Sequence, residues 1–90
     1  MPQTKEFILT LACRDTTGIV YAVSGLLYQA GCNIIDSQQF GDLEGDDATG
    51  LFFMRVQFTC VRLTHADLRA QLAFFAKPYA MQWTLNAWHQ

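Results

Sequence analysis

Apolar and polar positions divide the chain into six segments. From Phe7 to Cys13, the residues Phe7, Leu9, Leu11 and Cys13 alternate with Ile8, Thr10 and Ala12. Both faces are largely apolar, as in a strand central to a sheet. Arg14-Asp15-Thr16-Thr17-Gly18 follows, with Asp15, Thr16 or Thr17 as candidate helix N-cap. Between Gly18 and Ala30, the residues Ile19, Ala22, Val23, Leu26, Leu27 and Ala30 recur at helical spacing, and Gly31 stands where a left-handed C-terminal residue belongs. Asn33 to Phe40 predicts a second strand, with Ile35, Ser37 and Gln39 on one face and Ile34, Asp36, Gln38 and Phe40 on the other. Its polarity suits a sheet edge or a pairing surface.

The segment Gly41 to Gly50 holds three glycines and four acids and predicts an exposed loop. Leu51 to Thr59 then alternates cleanly, with Phe52, Met54, Val56 and Phe58 on one side and Phe53, Arg55, Gln57 and Thr59 on the other. Thr64-His65-Ala66-Asp67 has the capping-box spacing and opens a helix whose stripe is Leu68, Leu72, Phe75 and Ala76, ending at Lys77-Pro78. Met81, Trp83, Leu85 and Ala87 alternate with Gln82, Thr84 and Asn86 as a closing strand. The order is strand, helix, strand, strand, helix, strand. It predicts one α+β domain over residues 1–90, a ferredoxin-like βαββαβ sandwich. In that fold two helices cover one face of a four-stranded antiparallel sheet, and the first and third strands are central.

Composition narrows the function classes. Apolar residues make up 51 % of the ninety and charged ones 16 %, a core-forming balance. The formal charge is −2, and Asp42, Glu44, Asp46 and Asp47 supply half of the eight acids. With no basic run, a nucleic-acid partner is not expected. The polar start and the short first apolar run give neither a secretion signal nor a membrane span. Cys13, Cys32 and Cys60 are odd in number and lie in or beside apolar strands. They read as small hydrophobes in a reducing compartment, which makes cytoplasm the expected location.

Several chemistries make specific demands on these residues. Soft-metal binding in the first loop needs two thiols, and Cys13 stands alone there with Cys32 at the far end of the helix. RNA recognition needs exposed aromatics beside basic residues. Phe53 lacks that setting and reads as covered by a second subunit or domain. An acylphosphatase reading pairs Arg14 with Asn33, but the loop lacks the glycines that cradle a phosphate. His65 and His89 read as polar surface residues. No nucleophile–base set or metal cluster stands out, so no catalytic residue, metal or cofactor is assigned. Small-ligand sensing is left, since Asp15 accepts from an ammonium group and the amides near Gly18 bind a carboxylate. Asn33 offers both a donor and an acceptor. An N-cap, a turn glycine and the first residue of a strand would explain the same three residues without a ligand.

The first-loop pattern Asp15-Thr16-Thr17-Gly18-Ile19-Val20 resembles that of the ACT domain, a ligand-sensing module of metabolic enzymes. The runs Ala22-Val23-Ser24-Gly25-Leu26-Leu27, GCNIIDSQQF from Gly31 to Phe40, and Gly50-Leu51-Phe52-Phe53-Met54-Arg55-Val56 resemble the N-terminal domain of the formyltetrahydrofolate deformylase family. That resemblance covers about Phe7 to Trp88. Arg14 and Thr17 stand where the family usually carries prolines, implying a less rigid loop, and the acidic loop before Gly50 is longer than usual. The resemblance implies a regulatory domain in one-carbon and purine metabolism. The hydrolysis of 10-formyltetrahydrofolate to formate and tetrahydrofolate would belong to a C-terminal formyltransferase-like domain outside these residues. It also implies an amino-acid effector, glycine or methionine, held near Asp15, Thr16, Thr17, Gly18, Asn33 and Ile34 at the interface of a homodimer or higher homo-oligomer. The alternatives are a dimerisation-only module with a vestigial site, and a stand-alone acylphosphatase.

Overall fold

The computed structural model describes residues 5–14, 18–42 and 50–88. The expectations that fall on Asp15, Thr16, Thr17, most of the acidic loop and His89 lie outside the described residues. Strand β1 is Lys5–Arg14, helix α1 Ile19–Gln29, β2 Cys32–Asp42, β3 Leu51–Cys60, helix α2 His65–Ala76 and β4 Gln82–Ala87, with a 3-10 turn at Lys77–Tyr79. The strands form one antiparallel sheet in the order β2-β3-β1-β4. This is the expected βαββαβ sandwich, with β1 and β3 central.

The pairing of β1 with β3 runs unbroken from Lys5 opposite Cys60 to Arg14 opposite Leu51. Opposed residues share a sheet face. Phe7, Leu9, Leu11 and Cys13 therefore meet Phe58, Val56, Met54 and Phe52 on the helix-covered side, and all eight are buried. Ile19, Val23 and Leu27 of α1 and Leu68 and Leu72 of α2 close over them, with Leu85 of β4 at the flank. Each helix buries a stripe at i, i+4 and i+8.

Edge strand β2 is different. After Cys32 every residue through Asp42 is exposed. Its register with β3 shifts between Ile34 and Asp36, so Ile35 is the extra residue of a bulge. Ile34 lies opposite Phe58 on the helix side, whereas Asp36, Gln38 and Phe40 lie opposite Gln57, Arg55 and Phe53 on the open side. The simple alternation expected for this strand placed Ile34 with Asp36, Gln38 and Phe40; the bulge separates them. Beyond it, side-chain bonds tie neighbours on the same face. Gln38 Nε2 donates to Asp36 Oδ2 at 3.4 Å, and Gln39 Nε2 donates to Ser37 Oγ at 3.0 Å. On the open side Phe40 stacks on Phe53 at 5.4 Å.

His65 also departs from expectation. It is half-buried, its Nε2 donates to the Leu85 carbonyl at 2.8 Å, and its ring stacks on Phe7 at 5.9 Å. A histidine in the first turn of α2 thus fastens the helix to β4 and the core.

The two helices begin by different devices. Thr64 caps α2 with the predicted box: Thr64 Oγ1 accepts from the Asp67 amide at 3.1 Å, and Asp67 Oδ2 accepts from the Thr64 amide at 3.1 Å. Helix α1 takes its N-cap at Gly18, with no side-chain cap bond, and not at Asp15, Thr16 or Thr17 as expected. Gly18 sits at φ 84°, a left-handed conformation that turns β1 into the helix and that residues with a Cβ enter at a cost. The far end of α1 matches expectation, with Gly31 at φ 81° and its amide bonded to the Tyr28 carbonyl at 3.0 Å.

Two predictions follow from these caps. A Cβ built on Gly18 or on Gly25 meets nothing within 4 Å, so backbone conformation alone separates the two positions. In urea unfolding, Gly18→Ala lowers stability by about 1–2 kcal/mol through left-handed strain, whereas Gly25→Ala, inside α1, raises it by up to about 1 kcal/mol. For α2, the bonds from Thr64 hold the Asp67 carboxyl below its usual range, first through the backbone amide and then through the hydroxyl. A depressed folded-state pKa contributes stability that is complete above the unfolded value of about 3.9. That contribution is lost as pH falls through the lower folded value. The urea-midpoint gap between the wild type and Asp67→Ala is therefore present near neutrality and closes in strong acid.

Candidate functional site

Gly18 and Asn33 sit at opposite ends of α1. The helix starts one residue after Gly18 and ends at Gln29, three residues before Cys32 opens β2. Its eleven residues span roughly 16 Å at 1.5 Å per residue. The sheet gives a second measure. Arg14, at the end of β1 that leads to Gly18, pairs with Leu51, whereas Asn33 pairs with Thr59. Eight steps along β3 from Leu51 to Thr59 cover about 26 Å. Of the predicted ligand-binding residues that are described, Gly18 therefore lies apart from Asn33 and Ile34 within one chain.

The Gly18 end offers donors. The first amides of α1 lack intrahelical acceptors, and no acidic residue stands in the first turn to offset the positive end of the helix dipole. The Gly18 carbonyl begins the helix by accepting from the Ala22 amide at 2.9 Å. Ile19 is buried, so the approach to these amides is bounded by the apolar core.

The Asn33 end offers an exposed amide side chain on the first residues of the edge strand. Register with Thr59 puts Asn33 on the open side of the sheet, while Ile34, 36 % exposed, rims the helix side. The bulge at Ile35 comes immediately after and redirects the strand. The same separation governs the acylphosphatase pair. Arg14 and Asn33 are not brought together within one chain, so the structure assembles no such centre from them.

One pairing was missed in the sequence. Cys32 and Cys60 are directly opposed across β2 and β3 on the helix side of the sheet. All three cysteines are thiols. Burial, then a hydrogen bond and charge interaction with Cys60, push the Cys32 thiol up to about 12. Cys60 Sγ donates to the Ala30 carbonyl at 3.8 Å. The signal available in the sequence was the series Phe52, Met54, Val56, Phe58, Cys60, which puts Cys60 on the core face at the end where β2 begins. Among the described residues no group of three or more His, Cys, Asp or Glu side chains is placed to hold a metal ion.

An apolar groove lies elsewhere, across the outer faces of the two helices, with a volume of about 530 Å³. Leu26, Phe74, Phe75 and Tyr79 line it, and none belongs to the predicted site. No helix among the described residues is long and apolar enough to cross a membrane.

No protein-family model matches the chain. Individual proteins do. A formyltetrahydrofolate deformylase from Bacillus subtilis (strain 168) is 41 % identical over 81 residues, covering 87 % of this chain and 26 % of that protein. A crystal structure of formyltetrahydrofolate deformylase from Burkholderia mallei ATCC 23344 superposes with a TM-score of 0.79 at 32 % identity, over 92 % of this chain and 28 % of that one. An ACT domain protein from Streptococcus pneumoniae gives a TM-score of 0.77 at 23 % identity and covers 94 % of this chain and 91 % of its own, a likeness of fold. The chain thus spans little more than a quarter of the length of the deformylases it matches. The chain is thus homologous to part of the formyltetrahydrofolate deformylases, and its strand order and helix placement give it the fold of an ACT domain protein.

Proposed function

We propose that this chain is a regulatory domain that binds a free amino acid between two copies of itself and serves a formyltetrahydrofolate deformylase. The observation that carries the reading is the separation of Gly18 from Asn33 by the length of α1, beside the edge strand β2. The amides after Gly18 suit the α-carboxylate, Asp15 the α-ammonium group, and Asn33 either one. Thr16, Thr17 and Ile34 complete the predicted lining.

Edge pairing supplies the missing juxtaposition. β2 is eleven residues long, contains no proline or lysine, and is an outermost strand of the sheet. Two such strands related by a two-fold axis run antiparallel. The start of one then meets the end of the other, so Asn33 of one copy approaches the β1–α1 turn of its mate. Two equivalent sites result. For the ligand to regulate, it must favour one arrangement of the copies, or of the copies and the catalytic part, over another.

Glycine and methionine are the effectors to titrate, since both report on one-carbon supply. Calorimetry on the chain is expected to give saturable binding that Asp15→Ala and Asn33→Ala each abolish without dissociating the dimer. Mixing the two variants provides a stricter test. Half of the re-formed dimers contain one chain of each kind, and one of their two sites is intact, so about a quarter of the sites return. No recovery on mixing places both residues in one chain's site and overturns the shared arrangement. A dimer that binds neither amino acid supports an assembly module with a vestigial site.

A further inference from the structure

We propose that Cys32 and Cys60 form a reversible oxidation site, closed to an intrachain disulfide by a low-molecular-weight disulfide of the glutathione type. The proposal is independent of the effector reading, since it rests on the register of β2 against β3.

The geometry is set by the sheet. Cys32 is the first residue of β2 and Cys60 the last of β3, and the two are register partners. Directly opposed residues of an antiparallel pair have Cα atoms about 4.5–5.5 Å apart, with side chains on one face. A disulfide needs about 4.4–6.8 Å. The Cα spacing of the pair therefore falls in the bonding range. Cys32 is partly exposed and Cys60 is 1 % exposed, so the two have distinct roles. The third thiol is out of reach, because Cys13 lies opposite Phe52 whereas Cys60 lies opposite Lys5, at the other end of β1. About 26 Å of strand separates those two positions.

The surroundings keep the pair at rest. The Cys32 thiol interacts with Cys60, and Cys60 Sγ donates to the Ala30 carbonyl. The aliphatic part of Arg62 approaches the turn at Gly31, within 2.7 Å of where a Cβ would stand, so that turn is closely covered. With the Cys32 thiol pushed up to about 12, thiolate is scarce near neutral pH and exchange is slow.

The reaction balances as follows. Cys32 loses its proton, and its thiolate attacks one sulfur of the small disulfide, breaking that S–S bond and releasing one small thiolate, which takes up a proton. Cys60, as thiolate, then attacks the Cys32 sulfur of the mixed disulfide and releases the second small thiol. Two cysteine thiols are oxidised and one small disulfide is reduced to two thiols. The bond closes a loop of roughly thirty residues and ties the first residue of the edge strand to the centre of the sheet. The tie falls one residue before Asn33 and three before the bulge at Ile35, the least covered stretch of the fold.

The test is equilibration of the folded chain with oxidised glutathione, then alkylation, intact mass and peptide mapping. Two of the three thiols should disappear without a retained adduct, leaving Cys32 and Cys60 linked within one chain. The product should melt at least about 10 °C above the reduced form, and dithiothreitol should reverse the shift. Cys13→Ser should leave the link intact and Cys32→Ser should abolish it. Glutathione retained on Cys32, a link that includes Cys13 or joins two chains, or an oxidised form that melts no higher than the reduced one each overturns the proposal. So do thiols that stay reduced in the folded chain under conditions that oxidise the urea-unfolded chain.

Discussion

The uninterrupted register between β1 and β3 is the constraint on which the rest of the structure depends. It puts Phe7, Leu9, Leu11 and Cys13 opposite Phe58, Val56, Met54 and Phe52, so one side of two central strands is apolar throughout. A slip of one residue would turn that whole set toward the open face and bring Thr10, Arg55 and Gln57 under the helices. Both helices cover this double strip, and β4 contributes Leu85 to its flank. Thr10 and Thr84, hydrogen-bonded through their hydroxyls, join β1 to β4 on the other side. Gln57 Nε2, donating to Glu6 Oε2 at 3.1 Å, joins β3 to β1 there.

β2 bears the consequence of that arrangement. The helices pack over the β1–β3 strip, and an edge strand hydrogen-bonded only to β3 receives little of their cover. Ser37 and Gln39 accordingly face the helix side yet are exposed, and Phe40 finds cover only by stacking on Phe53. An edge with a bulge near its start and, beyond it, a polar run ending in Phe40 is suited to selective pairing and resists indiscriminate pairing.

The fold was legible because its strongest signals are periodic. Strict alternation in β3, a helical stripe in each helix and a polar second strand determine the order of elements and which strands are central. Features set by single residues were less legible. The bulge at Ile35 shifts register by one residue in a strand whose faces are both polar, so no hydrophobic period marks it. The N-cap of α1 fell on Gly18 because the turn out of β1 needs a left-handed residue, and a conformational demand outweighed the preference for a capping side chain. His65 read as a surface residue because its partners, the Leu85 carbonyl and the Phe7 ring, are distant in sequence. Cys32 and Cys60 are 28 residues apart in the chain, counting from 32 to 60, and meet only through the hairpin register.

The candidate site follows the same division between local and long-range information. Donor and acceptor types near Gly18 and at Asn33 are sequence properties, and a resemblance to ACT domains groups them. Their separation is a property of the βαβ unit. In any strand–helix–strand crossover the turn into the helix and the turn out of it lie at opposite ends of the sheet, here about 26 Å apart along β3. Side-chain flexibility cannot close such a gap, since an extended Asp or Asn side chain reaches only a few ångströms from its Cα. In the proposed dimer, a second β2 running alongside in the opposite direction would bring both halves within reach of one amino acid. Ligand binding and chain pairing then become one equilibrium, in which each stabilises the other by the same free energy. On that reading the domain would sense its ligand through its own assembly, with no need for any residue in the core to move.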